Sequence, residues 1–191
     1  IRGFGAVAAL YTEACQVIVR ADSGIESVED LQGKTVSIGA EESGSEQNAL
    51  QILSAYGLTD RLVETVNLNY EDAAAQLKAG KIDAVFITAG IPSPVVTELA
   101  GECGVRLLNV NGAAAQRLRS AYSAYSEVTI PAGTYPGQTA DAHTVGVKAV
   151  LLASDELPAA QVQKLTELLF SGREGLEEQL SIPLDAEQDA V

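Results

Sequence analysis

The chain has 191 residues, 47% of them hydrophobic, which is enough apolar material to bury a core in one domain or in two small lobes. Its 26 acidic and 12 basic residues give a formal net charge of −14 at pH 7, which argues against nucleic acid as a partner, because phosphate binding needs clustered cations. The sequence has no run of about 20 apolar residues, the length that a membrane-spanning helix needs.

The opening stretch, IRGFGAVAALYTEACQVIVR, is apolar in two pieces that Glu13 interrupts, and it lacks the charged start and the cleavage site of a signal peptide. The chain contains no Met, so both a mature form and a fragment are compatible with it. The two cysteines, Cys15 and Cys103, form no CxxC pair, and His143 is the one histidine, so a zinc site is not expected. We interpret the cysteines as buried free thiols, with a disulfide between them as the alternative in an oxidising compartment.

Strand-like and helical patterns alternate along the first part of the chain. Five runs rich in Val and Ile are predicted to be strands: 15–20, 34–39, 63–69, 83–90 and 105–110. Four helices are predicted between or after them: 46–56, 71–79, 92–101 and 112–120. This alternation favours a parallel sheet with helices on both faces. Strands rich in Val and Ile are typical of a sheet that is covered on both sides.

From about Tyr122 the pattern changes. The stretch YSEVTIPAGTYPGQTADAH holds Pro, Gly, Thr and Tyr in close succession and predicts a long irregular loop, which we expect to be ordered. Because Pro131 and Pro136 already restrict their own dihedrals, at least one of Gly133 and Gly137 is expected to have a positive φ. Residues 143–154 then predict a strand, 158–180 one or two amphipathic helices, and 181–191 a fraying tail.

The stretch SIGAEESGSEQNAL, residues 37–50, is the first candidate for a binding site. It has neither the GxxxxGKS/T nor the GxGxxG pattern, so nucleotide binding is not favoured. The hydroxyls of Ser43 and Ser45, together with the free amides of a helix start, suit one carboxylate. The alternative is that Ser43 or Ser45 only caps the helix, with Glu46 as a first-turn charge, and this stretch taken alone favours that alternative.

A second candidate follows the strand at 83–90. Thr88, Ala89 and Gly90 come directly before a predicted helix start, so we expect them at the same sheet edge as the first loop. Two such loops at the carboxyl ends of strands favour a pocket, although tight packing at a turn explains them equally well. The sequence has no GxSxG elbow and no base next to either cysteine, so we predict no catalytic residue, no metal and no cofactor.

The segment IPAGTYPGQ, residues 130–138, carries a resemblance to a known family. Together with YTEACQVIVRADSGIESVEDLQGKTVSIG, ESGSE, LKAGKIDAVFITAGIPSP and LPAAQVQKLTELLF, it resembles the TAXI family of TRAP-transporter substrate-binding proteins over about residues 1–180. Members of that family are periplasmic or extracytoplasmic proteins of two lobes that close over a small organic anion and deliver it to a membrane permease.

The resemblance implies an α/β, periplasmic-binding-protein-like fold, with a mostly parallel doubly wound sheet in lobe two and an incomplete lobe one. It divides the chain into a lobe-one remnant and crossover (1–33), lobe two (34–121), a return loop, crossover strand and C-terminal helices (122–180), and a tail (181–191). Family members usually carry a further segment before the residue that corresponds to Ile1. The chain also has Glu41 and Glu42 where the family tends to have Pro-Gly, and two carboxylates there oppose an anion unless they point outward.

The resemblance also implies the function and the site. The chain is expected to be a solute-binding component of a TRAP-type transporter, for a carboxylate or an amino acid such as glutamate, without catalysis. It is expected outside the cytoplasm, in the periplasm or lipid-anchored in a longer form. The expected partners are the permease subunits and either a second copy or an N-terminal segment that completes lobe one. The expected ligand-binding residues are Ser43, Gly44, Ser45, Glu46, Thr88, Ala89, Gly90 and Tyr135.

Two rivals to this hypothesis stay open. One is an enzyme domain of periplasmic-binding-protein-like fold, which perturbed titratable pairs in the cleft would favour. The other is a truncated assembly that folds but binds nothing. Fold analogy alone does not decide among them.

Overall fold

A computed structural model describes residues 2–172 and Gly175. The strands are β1 (Phe4–Arg20), β2 (Thr35–Ser37), β3 (Glu64–Val66), β4 (Ala84–Ala89), β5 (Val105–Leu108), β6 (Ser126–Ile130) and β7 (Ala142–Ser154). The helices are α1 (Gly44–Ala55), α2 (Tyr70–Lys78), α3 (Pro94–Cys103), α4 (Gly112–Ala121) and α5 (Ala159–Ser171), with a 3-10 turn at Glu29–Leu31. The tail 181–191 and the predicted helix beyond Gly175 lie outside the described residues.

The chain divides into two compact units. Residues 14–147 form one unit, and residues 1–13 with the chain from 148 onward form the other. The two boundaries between the units fall inside the long strands β1 and β7. Each of these strands therefore contributes residues to both units.

The sheet of the 14–147 unit is mixed in direction. β2 lies between β3 and β4 and is parallel to both. β1 is antiparallel to β4 through residues 14–19 and to β5 through residues 17–20. Hence β2, β3, β4 and β5 share one direction and end at the same edge of the sheet. The predicted α/β fold is confirmed, with β2 to β5 running in one direction; β1 opposes them, and β6 and β7 add an antiparallel pair.

Both faces of this sheet are buried. Cys15, Val17 and Val19 of β1 belong to a hydrophobic cluster with residues of α1 and α4. Ala14 and Ile18 belong to a second cluster with residues of α2 and α3. Successive residues of a strand point to opposite faces, so this division explains why nearly every residue of the run CQVIV is apolar.

The sequence analysis missed one strand and shortened another. Residues 126–130, assigned above to an irregular loop, form β6, which is antiparallel to β7 with Val128 opposite Thr144 and Ile130 opposite Ala142. Ile130 is buried while the neighbouring Thr129 is exposed, an alternation that the following prolines and glycines obscured. β1 begins at Phe4 and not at Cys15.

The loop between β6 and β7 turns at two glycines. Gly133 and Gly137 both have φ +79°, which confirms the expected positive φ. The amide of Gly133 donates to the carbonyl of Gln138 at 2.9 Å, and the amide of Gln138 donates to the carbonyl of Tyr135 at 3.0 Å. The loop therefore satisfies its own backbone groups.

Both cysteines are free thiols, as interpreted. Cys15 is buried, but Cys103 at the end of α3 is partly exposed, which corrects the expectation that both are buried. Its thiol lies 3.5 Å from the carbonyl oxygen of Leu99, one helical turn earlier.

Candidate functional site

The loop after β2 leads directly into α1 and forms one side of the candidate site. Gly39 has φ +98° and turns the chain. Ser43 is the N-cap of α1: its Oγ accepts a hydrogen bond from the amide of Glu46 at 3.1 Å. The capping role that the sequence offered as an alternative is thus present, although the Ser43 hydroxyl keeps its own proton for a further acceptor.

The first amides of α1 are open. An α-helix leaves its first N–H groups without intrahelical partners, and no other described residue accepts a hydrogen bond from the amides of Gly44 or Ser45. Gly44 is exposed, so its amide is accessible. The positive end of the helix dipole adds to these donors and favours an anion at this position.

Ser45 is joined to two other loops through Tyr70. The hydroxyls of Ser45 and Tyr70 are hydrogen-bonded, and Ser45 is buried. The Tyr70 hydroxyl donates to the Thr88 carbonyl at 2.9 Å and accepts from the Thr88 amide at 3.2 Å. The start of α1, the start of α2 and the end of β4 therefore meet at a single oxygen atom.

The side chain of Thr88 continues this network toward α1. Asn48 of α1 donates from Nδ2 to Thr88 Oγ1 at 3.2 Å, and the Thr88 hydroxyl lies 3.7 Å from the Cys15 sulfur. Tyr125, which precedes β6, contacts Asn48 Oδ1 at 2.8 Å and Gln51 Oε1 at 2.6 Å through its hydroxyl. Burial raises the pKa of Tyr125, so its hydroxyl keeps its one proton, which it can donate to one of these two amide oxygens at a time.

Acidic groups lie close to the open amides. Glu46 accepts a hydrogen bond from the amide of Glu42 at 2.7 Å and one from Asn67 Nδ2 at 2.8 Å. Asn67 also donates to the Gly39 carbonyl at 3.1 Å, which ties the loop after β3 to the loop after β2. Glu41 and Glu42 are exposed. A ligand at the start of α1 therefore meets donors on one side and carboxylates nearby.

Ala89, Gly90 and Tyr135 occupy different surroundings from the residues above. Ala89 is partly exposed opposite Ala14 of β1, and Gly90 is buried at the start of the turn to α3. Tyr135 is only 2% exposed. Its hydroxyl donates to Gln16 Oε1 at 2.7 Å and accepts from the Ser93 amide at 3.0 Å. The resemblance placed Tyr135 at the ligand, whereas here it packs in the core and anchors the turn between β4 and α3.

A cavity of about 510 Å³ lies along α1, from Glu42 before the helix to Ser54 in its last turn. Ser43 and Glu46 line it, together with Gln47, Leu50 and the exposed ring of Tyr122. Thr88, Ala89 and Gly90 are not part of its lining. Among residues 2–172, no three His, Cys, Asp or Glu side chains come together as metal ligands would.

Four polar residues of this network were not singled out from the sequence: Asn48, Asn67, Tyr70 and Tyr125. One pattern could have found two of them. NLNYED directly follows a predicted strand, so Asn67 and Tyr70 belong to a third loop at the carboxyl edge, comparable to the two that were considered. No local pattern marks Asn48 or Tyr125, because each joins the network only through contacts with residues that are distant in the sequence.

Comparison with known proteins finds one matching family model and several solved structures of similar fold. A family model described as the NMT1-like family matches residues 1–190. The periplasmic aliphatic sulphonate binding protein SsuA from Escherichia coli superposes with a TM-score of 0.54 at 21% identity, over 95% of this chain and 56% of that chain. The alkanesulfonate-binding protein SsuA from Xanthomonas axonopodis pv. citri, bound to MOPS, gives 0.53 at 22% identity, with coverages of 95% and 56%.

A third structure belongs to an amino acid transport system. A putative L-cystine ABC transporter from Listeria monocytogenes gives a TM-score of 0.54 at 17% identity, over 91% of this chain and 59% of that chain. Such identities show a common fold alone. The chain spans little more than half the length of these proteins, and none of its described helices is long and apolar enough to cross a bilayer.

Proposed function

This chain belongs to the NMT1-like family, and from that premise we propose that it is the solute-binding component of a transporter of the TRAP type, of the TAXI kind, acting outside the cytoplasm. One observation carries the proposal. The start of α1, the start of α2 and the end of β4 meet around Ser45, Tyr70 and Thr88, beside the open amides of α1. In open α/β sheets, ligands bind at the carboxyl ends of strands, and helix starts bind anions.

The ligand of the proposal is a small organic anion held by the amides of Gly44 and Ser45 and by the hydroxyl of Ser43. Thr88, Ala89 and Gly90, at and just after the end of β4, stay in the proposal as predicted ligand contacts, although they do not line the cavity along α1. Glu46 and the exposed Glu41 and Glu42 favour a ligand that also brings a positive group, because a second carboxylate alone meets repulsion there. An amino acid such as glutamate meets both conditions. Tyr135 enters the proposal as a support of the turn after β4.

The proposed partners are a permease and a second copy of the chain. In the smaller unit, Ala8 and Ala9 are the apolar side chains that are fully buried among the described residues. Larger apolar side chains there are exposed: Phe4, Val150, Leu152, Leu157, Leu165 and Leu168. Exposed apolar surface of this kind favours association, and completion by a further N-terminal segment is the competing arrangement.

The function is tested by binding. Native mass spectrometry of protein purified without added ligand is expected to show a retained small acid. Titration calorimetry with L-glutamate, succinate and ethanesulfonate then compares the affinities for an amino acid, a dicarboxylate and a sulfonate. No retained acid and no heat with any of the three compounds would contradict the proposal.

The site is tested by the double substitution Ser43→Ala, Ser45→Ala. Each hydrogen bond to a charged group contributes about 1.5–3 kcal/mol, so we expect binding to weaken by about tenfold or more. The control is Ser123→Ala with Ser126→Ala, two exposed serines that do not line the cavity along α1. Equal affinity of the two double variants would contradict the site assignment, provided that thermal unfolding shows both to be folded.

A further inference from the structure

The hydroxyl of Tyr70 has three hydrogen-bonding neighbours and one proton, which decides the direction of each bond. The Thr88 carbonyl, at 2.9 Å, can only accept, so it takes the Tyr70 proton. The Thr88 amide, at 3.2 Å, can only donate. The Ser45 hydroxyl must then donate to Tyr70 as well, because the Tyr70 proton is already used. All three bonds form at once in this arrangement alone.

This assignment changes the role of Ser45. Its proton is committed to Tyr70, so the Ser45 hydroxyl has no proton left for an anionic ligand. Ser45 is also 8% exposed, which leaves little room for a ligand beside its side chain. The Ser43 hydroxyl differs, because it accepts from the Glu46 amide and still has its proton. The donors that remain for an anion are the Ser43 hydroxyl and the amides of Gly44 and Ser45.

Tyr70 also has a position that no other residue of the network shares. It is the first residue of α2, directly after the loop that follows β3. Through one oxygen it joins the start of α1 to the end of β4. These two segments lie 25 and 18 residues from Tyr70 in the chain, so their spacing is set by this contact and not by local sequence.

We propose that Tyr70 is a positioning residue of the binding site, and that Ser45 acts on ligand binding only through it. This inference rests on the proposed function. The Tyr70 hydroxyl holds the first turn of α1 against Thr88, and the open amides of that turn therefore point in a fixed direction. A site whose donors are fixed before binding spends less free energy on ordering them.

The fold is expected to tolerate the loss of this hydroxyl. Asn67 still ties the loop after β3 to Gly39 and Glu46, through bonds of 3.1 and 2.8 Å. Asn48 still ties α1 to the Thr88 side chain at 3.2 Å. Tyr70→Phe keeps the ring, so it removes the three bonds of the hydroxyl while leaving the packing of the aromatic side chain in place.

A double-mutant cycle tests the proposal. Affinity for L-glutamate and for ethanesulfonate is measured by calorimetry in wild type, Tyr70→Phe, Ser45→Ala and the double variant. We expect each single substitution to weaken binding by about tenfold. The double variant is expected to bind as tightly as the single variant with the lower affinity. A double variant whose fold-loss in affinity equals the product of the two single fold-losses would overturn the proposal. An unchanged affinity of Tyr70→Phe would overturn it as well.

Tyr56→Phe is the matched control. The Tyr56 hydroxyl also bonds to main-chain groups, accepting from the Asn111 amide at 3.1 Å and donating to the Asn111 carbonyl at 3.3 Å. It contacts neither Ser45 nor Thr88 among the bonds of the described residues. The control is expected to keep wild-type affinity, and an equal loss in both variants would show that any lost tyrosine hydroxyl weakens binding.

A second measurement does not depend on a ligand. Hydrogen exchange followed by NMR is expected to show the Thr88 amide exchanging at least tenfold faster in Tyr70→Phe than in wild type, because its acceptor is gone. Unchanged exchange at Thr88 would overturn the proposed role of Tyr70. Wild-type protein that binds no probe would instead overturn the proposed function, so the two failures are distinguishable.

Discussion

At the scale of single residues, Gly39 shows how closely the backbone is packed at the site. Its φ of +98° is a backbone conformation that residues other than glycine rarely adopt. A Cβ at this position would lie 2.8 Å from Ser45 Cβ and 3.3 Å from the Glu46 amide nitrogen. The loop after β2 therefore passes so close to the start of α1 that both the turn and the contact require glycine.

Gly39→Ala is expected to destabilise the protein more than Gly57→Ala does. Gly57 has φ +75°, and a Cβ there would meet nothing within 4 Å, so that substitution measures the backbone cost alone. The contact with Ser45 should add about 1–3 kcal/mol for Gly39→Ala. Urea unfolding of both variants checks this difference. Equal losses would mean that the loop moves away from α1 at little cost.

At the scale of elements, α1 is held at its polar side from two directions. Asn48 bonds to Thr88 at the end of β4, and Asn48 and Gln51 both contact the hydroxyl of Tyr125. Tyr125 lies between α4 and β6, so its hydroxyl ties this later part of the chain to α1. Its ring also meets the ring of Tyr122 edge to face, with centroids 6.3 Å apart.

Tyr125→Phe is expected to lower the free energy of unfolding by about 1–3 kcal/mol, because it leaves an amide oxygen of α1 without its donor. Tyr122→Phe is the control, since Tyr122 is 45% exposed and belongs to the same aromatic pair. Its effect is expected to stay within about 0.5 kcal/mol. Thermal or denaturant unfolding measures both, and a Tyr125→Phe variant as stable as the control would show that the contact with α1 contributes nothing.

At the scale of the whole molecule, the two hydrophobic clusters are confined to one unit. Their buried members all lie between Ala14 and Val145, inside the 14–147 unit. In the smaller unit, the described residues expose Phe4, Val150 and Leu168 by 52%, 46% and 56%. The larger unit thus has a core of its own, whereas the smaller unit presents apolar side chains to solvent.

A fragment of residues 14–147 is expected to unfold in one cooperative transition and to remain a monomer. The full chain is expected to self-associate through the apolar side chains of the smaller unit. Light scattering at micromolar concentration compares the two proteins under the same conditions, and circular dichroism follows the unfolding of the fragment. A monomeric full chain that binds no apolar dye would contradict the proposed association.

Much of the fold could be predicted because it depends on local chemistry. The Val and Ile runs, the helical patterns and Ser43 before α1 predicted the succession of strands and helices, since each depends on periodicity or on a cap within a few residues. The positive φ of Gly133 and Gly137 was predictable because prolines and glycines restrict their own dihedrals. The family resemblance added the general fold.

The sequence by itself determined most of the segments that form strands and helices, though not β6 or the first half of β1, and it marked two of the three segments that meet at the site. The tertiary structure decided how these parts meet: the antiparallel direction of β1, the pairing of β6 with β7, and the burial of Tyr135 against Gln16, 119 residues away. It also brought Ser45 and Thr88 to the hydroxyl of Tyr70. Local patterns carry no information on such contacts, because hydrogen bonds between distant residues depend on how the sheet orders its strands and not on neighbours along the chain.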